Sequence, residues 1–226
     1  MRVLRTFVEF KCTRKLERQA FRAGWRLVAG CDEVGRGALL GPLYVAAVIL
    51  DPAKRIPGVD DSKKLTPSER ESLALKITKK ALAFQVVSLS AAEVDALNVY
   101  EASRQGMIRA VLALNPAPEF ILTDAMRLEG SHTPAGFGIP HRAVVHGDAL
   151  SVSIAAASIL AKVARDAHLR ELDRLYPQYG LARNKGYATR THLEALAFYG
   201  PCPEHRRSYQ PVKDYLLPLF PFSGAP

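Results

Sequence analysis

The sequence predicts an α/β layer architecture. Five short apolar segments recur along the chain, and most are separated by stretches with helical spacing or helix-start signals. Two of those starts, Thr66-Pro67-Ser68-Glu69 and Ser90-Ala91-Ala92-Glu93, have the form of capping boxes. A single long stretch, 154–175, starts alanine-rich and ends charged, as a helix half embedded in a core would. The 226 residues are 48% hydrophobic and 23% charged, which suits a sizeable core and argues against global disorder.

Residues 1–25 read as a basic helical arm, with Phe7, Phe10, Leu16, Phe21 and Trp25 as its apolar contacts. Residues 26–33 suit a first strand, and 43–50 a second, joined through the loop Gly35-Arg36-Gly37. A polar connection over 51–65 contains Asp60-Asp61-Ser62-Lys63-Lys64. The Thr66 cap opens a helix to about residue 81, followed by a third strand at 84–89 and a short helix after Ser90. Residues 100–114 have helical spacing, with Met107, Ile108, Val111, Leu112 and Leu114 on or near one face, and Asn115-Pro116-Ala117-Pro118 stops them. Residues 119–124 form a short strand ending in an acid. A Gly- and Pro-containing loop over 125–141 leads to a fifth strand at 143–146 and then Gly147-Asp148. Beyond Pro177 come short helical pieces and a proline-rich tail. The expected division is an arm at 1–25, a core at 26–175 and a C-terminal helical extension at 176–226.

The formal charge is +9, unevenly placed: residues 1–25 carry +5 and 170–226 carry +3, while the middle is nearly neutral. Basic ends around a balanced body would attract a polyanion. The three cysteines, Cys12, Cys31 and Cys202, form no C-x-x-C pair and fit reduced thiols in a cytoplasmic protein. The first 25 residues lack the apolar stretch of a secretory signal, although an arginine-rich transit peptide is an alternative. The longest apolar run, 37–50, is too short to span a bilayer, so no membrane partner is expected.

The most telling residues are Asp32 and Glu33, adjacent acids closing an apolar segment and running into Gly35-Arg36-Gly37. Adjacent carboxylates near a core repel unless a cation joins them. Asp124 also closes a predicted strand, Asp148 follows one, and Asp166 lies within the long helix. Any one of these acids alone is ordinarily a cap or an ion pair. Converging without His or Cys, they would make an oxygen-only ligand set, which selects Mg²⁺ or Mn²⁺ over zinc. Two such ions about 4 Å apart activate water and stabilise a leaving oxygen in phosphodiester hydrolysis. The glycine loop is neither a Walker A loop nor a dinucleotide fingerprint, since the required spacings are absent.

A set of ordered motifs then resembles type 2 ribonucleases H, in particular bacterial ribonuclease HII. They are Gly30-Cys31-Asp32-Glu33-Val34-Gly35-Arg36-Gly37 with Gly41-Pro42, Asp61-Ser62-Lys63-Lys64-Leu65, Gly147-Asp148-Ala149 with 153–159, Ala161-Lys162-Val163, Arg165-Asp166, Lys185-Gly186-Tyr187 and His205-Arg206-Arg207-Ser208. The resemblance implies an RNase H-like fold: a five-stranded mixed sheet flanked by helices, with a C-terminal helical extension. It implies an endonuclease that hydrolyses the RNA strand of RNA–DNA hybrids. It also implies cutting 5′ of single ribonucleotides in duplex DNA, leaving 3′-hydroxyl and 5′-phosphate ends. Asp32, Glu33, Asp124 and Asp148 would be the catalytic, metal-holding acids, with Asp166 in support. Gly35, Arg36, Gly37, Tyr187, Lys63 and Arg206 are the expected substrate contacts. The implied setting is a monomer in the cytoplasm, acting in ribonucleotide excision repair with Mn²⁺ or Mg²⁺. Leu150, Asn184, Tyr209 and Ala125 depart from the residues usual in this family. A junction-cutting nuclease of the same fold and a non-catalytic hybrid-binding protein are the rival readings.

Overall fold

The computed structural model describes residues 12–130, 133–135 and 137–216. Its centre is one sheet of β1 (Val28–Val34), β2 (Leu43–Leu50), β3 (Ala81–Leu89), β4 (Phe120–Asp124) and β5 (His141–Val144). The order is β3-β2-β1-β4-β5. β1 runs antiparallel to β2 and parallel to β4, so the sheet is mixed, as the resemblance implied.

The side-chain alternation of β2 explains the layers. Val45, Ala47 and Ile49 face one core with Met107, Ile108 and Val111 of α4 (Val99–Leu112). Ala46, Val48 and Leu50 face the other, with Leu73 and Ile77 of α2 (Pro67–Lys80) and Ala155, Ala156 and Ile159 of α6 (Val152–Leu175). A strand buried on both faces needs apolar residues throughout, which is why 43–50 carries no charge. The alanines of α6 let it approach the sheet closely. At Gly30 the approach is backbone to backbone: a Cβ there would lie 2.1 Å from the Ser153 carbonyl carbon.

Both capping boxes form: Thr66 with Glu69, and Ser90 with Glu93 at the start of α3 (Ala91–Leu97). β3 begins three residues before its expected start, because Ala81 leaves α2 directly in extended conformation and pairs with Leu50. β5 lies two residues earlier than expected, since its parallel register with β4 pairs Ile121 with His141 and Asp124 with Val144. Leu112 is 57% exposed, so the apolar face of α4 is narrower than its spacing suggests, while Leu114 is buried just past the helix end.

Ahead of the sheet, α1 (Lys15–Arg22) packs Leu16, Ala20 and Phe21 against Val28, Leu122 and Ile154. Its buried Glu17 accepts hydrogen bonds from the Ser151 hydroxyl and, at 2.9 Å, from the Ser153 amide at the start of α6. A carboxylate there complements the helix dipole. Phe7 and Phe10 lie outside the described residues. Beyond α6, α7 (Leu181–Asn184) and α8 (Arg190–Tyr199) gather around Leu40, Leu169, Tyr179 and Ala195. No helix among the described residues is long and apolar enough to cross a membrane.

Candidate active site

The parallel register of β1 and β4 builds the site. Cys31 is paired with Thr123, so Asp32 and Asp124, the next residues on neighbouring strands, emerge side by side. Asp148 arrives on a one-turn helix not anticipated from sequence, α5 (Gly147–Leu150), entered through His146 at φ 56°. The Gly147 amide donates to Asp124 Oδ1 at 2.7 Å, tying that turn to the strand end. Carboxylate oxygens of Asp32, Asp124 and Asp148 lie within 4.8 Å of one another. They belong to residues far apart in sequence, which folding gathers at one end of the sheet.

Glu33 lines the same cavity of about 360 Å³ as Asp32 and Asp124. Its Oε1 takes the Arg36 guanidinium at 3.3 Å, while its buried Oε2 has no hydrogen-bond partner. Burial, then the neighbouring Glu33 and Asp124 charges, push the Asp32 carboxyl well above its ordinary range. Burial likewise raises Glu33 to about 7, against the opposing pull of Arg36, and raises Asp124 against the Gly147 hydrogen bond. Lys63 Nζ reaches over to Asp148 Oδ2 at 2.8 Å, and its side chain is otherwise 78% exposed. Lys63 on Asp148 and Arg36 on Glu33 are cations that the site recruits from its own chain. Three converging, mutually repelling carboxylates and a fourth with one unpartnered oxygen fit hard divalent ions well.

Asp166 is not one of the three converging acids: it is buried on α6 and paired at 2.7 Å with Lys162 Nζ, whose residue lines the cavity. Three further cavity residues had no role assigned from sequence. Ser158 and Ser62 share a 2.9 Å hydrogen bond, and Ser158 also bonds to Asp32. Arg70 donates to the Ser62 carbonyl at 2.9 Å, holding the 62–65 turn against α2. The Ser62 and Ser158 positions fall inside the quoted motifs, so proximity to them was the available signal.

The glycine loop follows directly on Val34, which lines the cavity. Gly35 has φ +96°, and a Cβ on it would strike Arg165 Nε at 2.3 Å. Gly37 is open: a Cβ there would meet only the Tyr187 ring, at 4.0 Å. Tyr187 itself is 38% exposed and lines the carboxylate cavity.

Two buried arginines hold this loop from behind. Arg165 donates to the carbonyls of Pro42, Lys185 and Leu40 at 3.1, 2.9 and 3.3 Å. Arg206 donates to Gly41 O at 3.0 Å and Arg36 O at 2.8 Å. The expectation that Arg206 touches substrate is therefore corrected: its side chain is fully buried and its guanidinium is committed to backbone carbonyls. Sequence alone could not separate such an arginine from its solvated neighbour Arg207.

Three departures from the family pattern acquire reasons. The Tyr209 hydroxyl donates to Arg36 O at 2.7 Å, adding a loop contact that phenylalanine lacks. Asn184 accepts the Gly186 amide at 2.8 Å and steadies the turn before Tyr187. Leu150 packs in the small cluster beside α1.

The Ribonuclease HII sequence profile matches residues 29–212. The chain belongs to the ribonuclease HII family. It is 46% identical over 226 residues to the ribonuclease HII of Solibacter usitatus (strain Ellin6076), covering 96% of each chain. It is 50% identical over 202 residues to that of Geobacillus kaustophilus (strain HTA426), covering 89% of this chain and 75% of the relative. Among solved structures, ribonuclease H2 from Pyrococcus horikoshii OT3 superposes with a TM-score of 0.71 at 27% identity, covering 84% of this chain and 97% of that one. Membership of the ribonuclease HII family makes the chain a ribonuclease H, a hydrolase and an endonuclease. The family depends on divalent metal and acts on RNA–DNA hybrids, in keeping with the acidic triad.

Proposed function

We propose that the chain cuts duplex DNA 5′ of a single embedded ribonucleotide, as well as the RNA strand of longer hybrids. The products would carry 3′-hydroxyl and 5′-phosphate ends. The observation that carries this reading is adjacency: the Tyr187 ring lines the cavity that contains Asp32, Glu33 and Asp124, and the open Gly37 faces that ring. A 2′-hydroxyl is the group that separates RNA from DNA at one position. Bare backbone at Gly35-Arg36-Gly37 can approach it closely, and Tyr187 can pack on the adjoining sugar.

Asp32, Asp124 and Asp148 would hold Mg²⁺ or Mn²⁺, with Glu33 as the further ligand and Asp166 in support. Bound ions, two in our reading, supply Lewis acidity for an attacking water and a leaving oxygen. The chain's own contribution is positional. Arg165 and Arg206 keep the loop carbonyls fixed, so the amides that face substrate are preset before it binds. Lys63 neutralises Asp148 until other cations arrive, and its exposed stem lets it turn to a substrate phosphate. We assign the acids and Lys63 to a catalytic core at 26–175, set apart from a basic arm at 1–25, while the extension at 176–226 contributes Tyr187 and Arg206. A monomer acting in ribonucleotide excision repair in the cytoplasm is the accompanying expectation.

The test is a DNA duplex with one ribonucleotide, incubated with and without divalent ion, and the nick mapped. One cut at the 5′ side of the ribonucleotide, only with the ion, is expected. Cleavage of an all-DNA junction instead, or binding without products, would overturn the reading. Gly37→Ala sharpens it. Nothing clashes with the added methyl inside the protein. Folding should therefore survive, while preference for the ribonucleotide-bearing duplex over all-DNA duplex falls. Equal loss on both duplexes would count against the loop's role.

A further inference from the structure

His192 and His205 are buried, 0% and 1% exposed, and the chemistry above uses neither. Their rings form a chain of hydrogen bonds whose proton positions can be worked out from its ends. At one end the Cys202 amide points at His205 Nδ1 at 3.0 Å. An amide can only donate, so His205 Nδ1 is the bare, accepting nitrogen. In the neutral ring the proton is then on Nε2, which faces His192 Nε2 at 3.2 Å. His192 Nε2 therefore accepts, and its own proton sits on Nδ1. That nitrogen lies 2.9 Å from the Tyr187 carbonyl, which can only accept. Every donor meets an acceptor, and each ring's tautomer is set by the bond at its other nitrogen.

The far end of the chain matters because of where it is anchored. His205 lies in the ribbon 204–206, which bonds directly to the stretch after the glycine loop. The Gly41 amide donates to Glu204 O at 2.9 Å, the Arg206 amide to Leu39 O at 2.8 Å, and His205 is bridged to Leu40. The Tyr179 ring stands edge-on to both imidazoles, with centroids 5.9 Å from His192 and 4.8 Å from His205. Its hydroxyl is fixed to Gly200 O at 2.7 Å. One rigid unit thus joins the backbone behind the glycine loop to the backbone of Tyr187.

We infer that His192 and His205 are positioning residues for ribonucleotide selection, holding Tyr187 at a fixed place opposite Gly37. The inference rests on the reading of Tyr187 as a substrate contact and adds what holds it. The Tyr187 carbonyl also accepts the Thr189 amide at 2.8 Å. Losing His192 would therefore loosen the turn without releasing it, and the effect should fall on selection before stability.

Two measurements test this. The first needs no variant: nitrogen-15 NMR of the imidazoles at neutral pH. One buried ring should carry its proton on Nδ1 and the other on Nε2. Two rings of the same tautomer, or a charged ring, would overturn the relay. The second is a cycle of variants assayed on a duplex with one ribonucleotide. His192→Phe should raise KM about tenfold, the usual scale for one buried hydrogen bond, with kcat and affinity for all-DNA duplex little changed. His192→Asn keeps a side-chain N–H for the Tyr187 carbonyl and should recover most of the loss. In a Tyr187→Ala background, His192→Asn and His192→Phe should be indistinguishable. If Tyr187→Ala leaves selection intact, the reading of Tyr187 fails. If it abolishes selection but the His192 variants match the parent, or their effects add to it, the positioning role fails.

Discussion

Ala125 follows Asp124 with φ 50°, a left-handed backbone that favours glycine. A Cβ there costs about 1–2 kcal/mol, of which glycine's extra unfolded-state freedom takes back part. Ala125→Gly should therefore stabilise the fold by about 0.5–1 kcal/mol in denaturant unfolding. No gain would mean that the neighbouring Val144 carbonyl, which accepts the Ala125 amide at 2.9 Å, already compensates the strain. Asp124 is the opposite case: on the proposed reading its presence costs stability and serves activity. Its carboxyl is raised by burial and by Asp148, so the ion-free site is held together against repulsion. Asp124→Asn keeps the shape and the acceptor for the Gly147 amide while removing the charge. We expect unfolding in chelator at an equal or higher temperature and turnover lower by about 10³-fold or more. Near-normal turnover would remove Asp124 from the catalytic set.

Elements whose ends carry local chemistry were readable from sequence, and elements fixed by a neighbour were not. α2 opens where Thr66 and Glu69 can cap each other, and β2 spans the uncharged 43–50, so both match their expected starts. β5 is four residues long and takes its register from β4, which no local pattern encodes. α5 is a single turn with no room for a periodic face. The same division runs through the site. Asp32 and Asp124 were visible as strand-ending acids, while Asp148 was visible only as an acid just after a predicted strand. The burial of Arg206 depends on packing between 36–41 and 204–209, which is long-range.

The C-terminal elements also carry a pH prediction. Burial, then the adjacent His192, pull His205 down from its ordinary value to about 4. Between pH 6.5 and about 4 the unfolded chain binds the proton and the folded chain does not. Stability from this ring is thus fully present above pH 6.5 and is lost as the pH falls through that window. At pH 5 the loss should be roughly 2 kcal/mol. Glu33 works the other way, since its raised carboxyl favours the fold as pH falls below about 7. The comparison that isolates the histidine is parent against His205→Gln, by thermal unfolding at pH 7.5 and pH 5. The parent should lose more stability than the variant on acidification, and an equal loss would exclude His205 as the source.

Across the whole molecule the signs of charge are arranged in opposition. The chain carries +9, concentrated in its two ends, while its cavity sets Asp32, Glu33 and Asp124 beside Lys63, Arg70 and Lys162. On the proposed reading the basic ends would draw a duplex in, and its phosphates would then meet carboxylates that repel them until cations intervene. Duplex affinity and catalysis should therefore separate cleanly: monovalent salt weakens the first, and chelation removes the second. Arg183 and Arg207 are exposed in the C-terminal extension, outside the carboxylate cavity. Each counterion-releasing contact contributes about 0.9 to the slope of log affinity against log salt. If both arginines meet phosphates, Arg183→Gln with Arg207→Gln should flatten that slope by between about 1 and 2. The loss should be the same on hybrid and all-DNA duplexes, with kcat at saturation unchanged. An unaltered slope would mean that the duplex lies elsewhere on the surface, and a loss confined to the ribonucleotide substrate would move these side chains into the selection machinery.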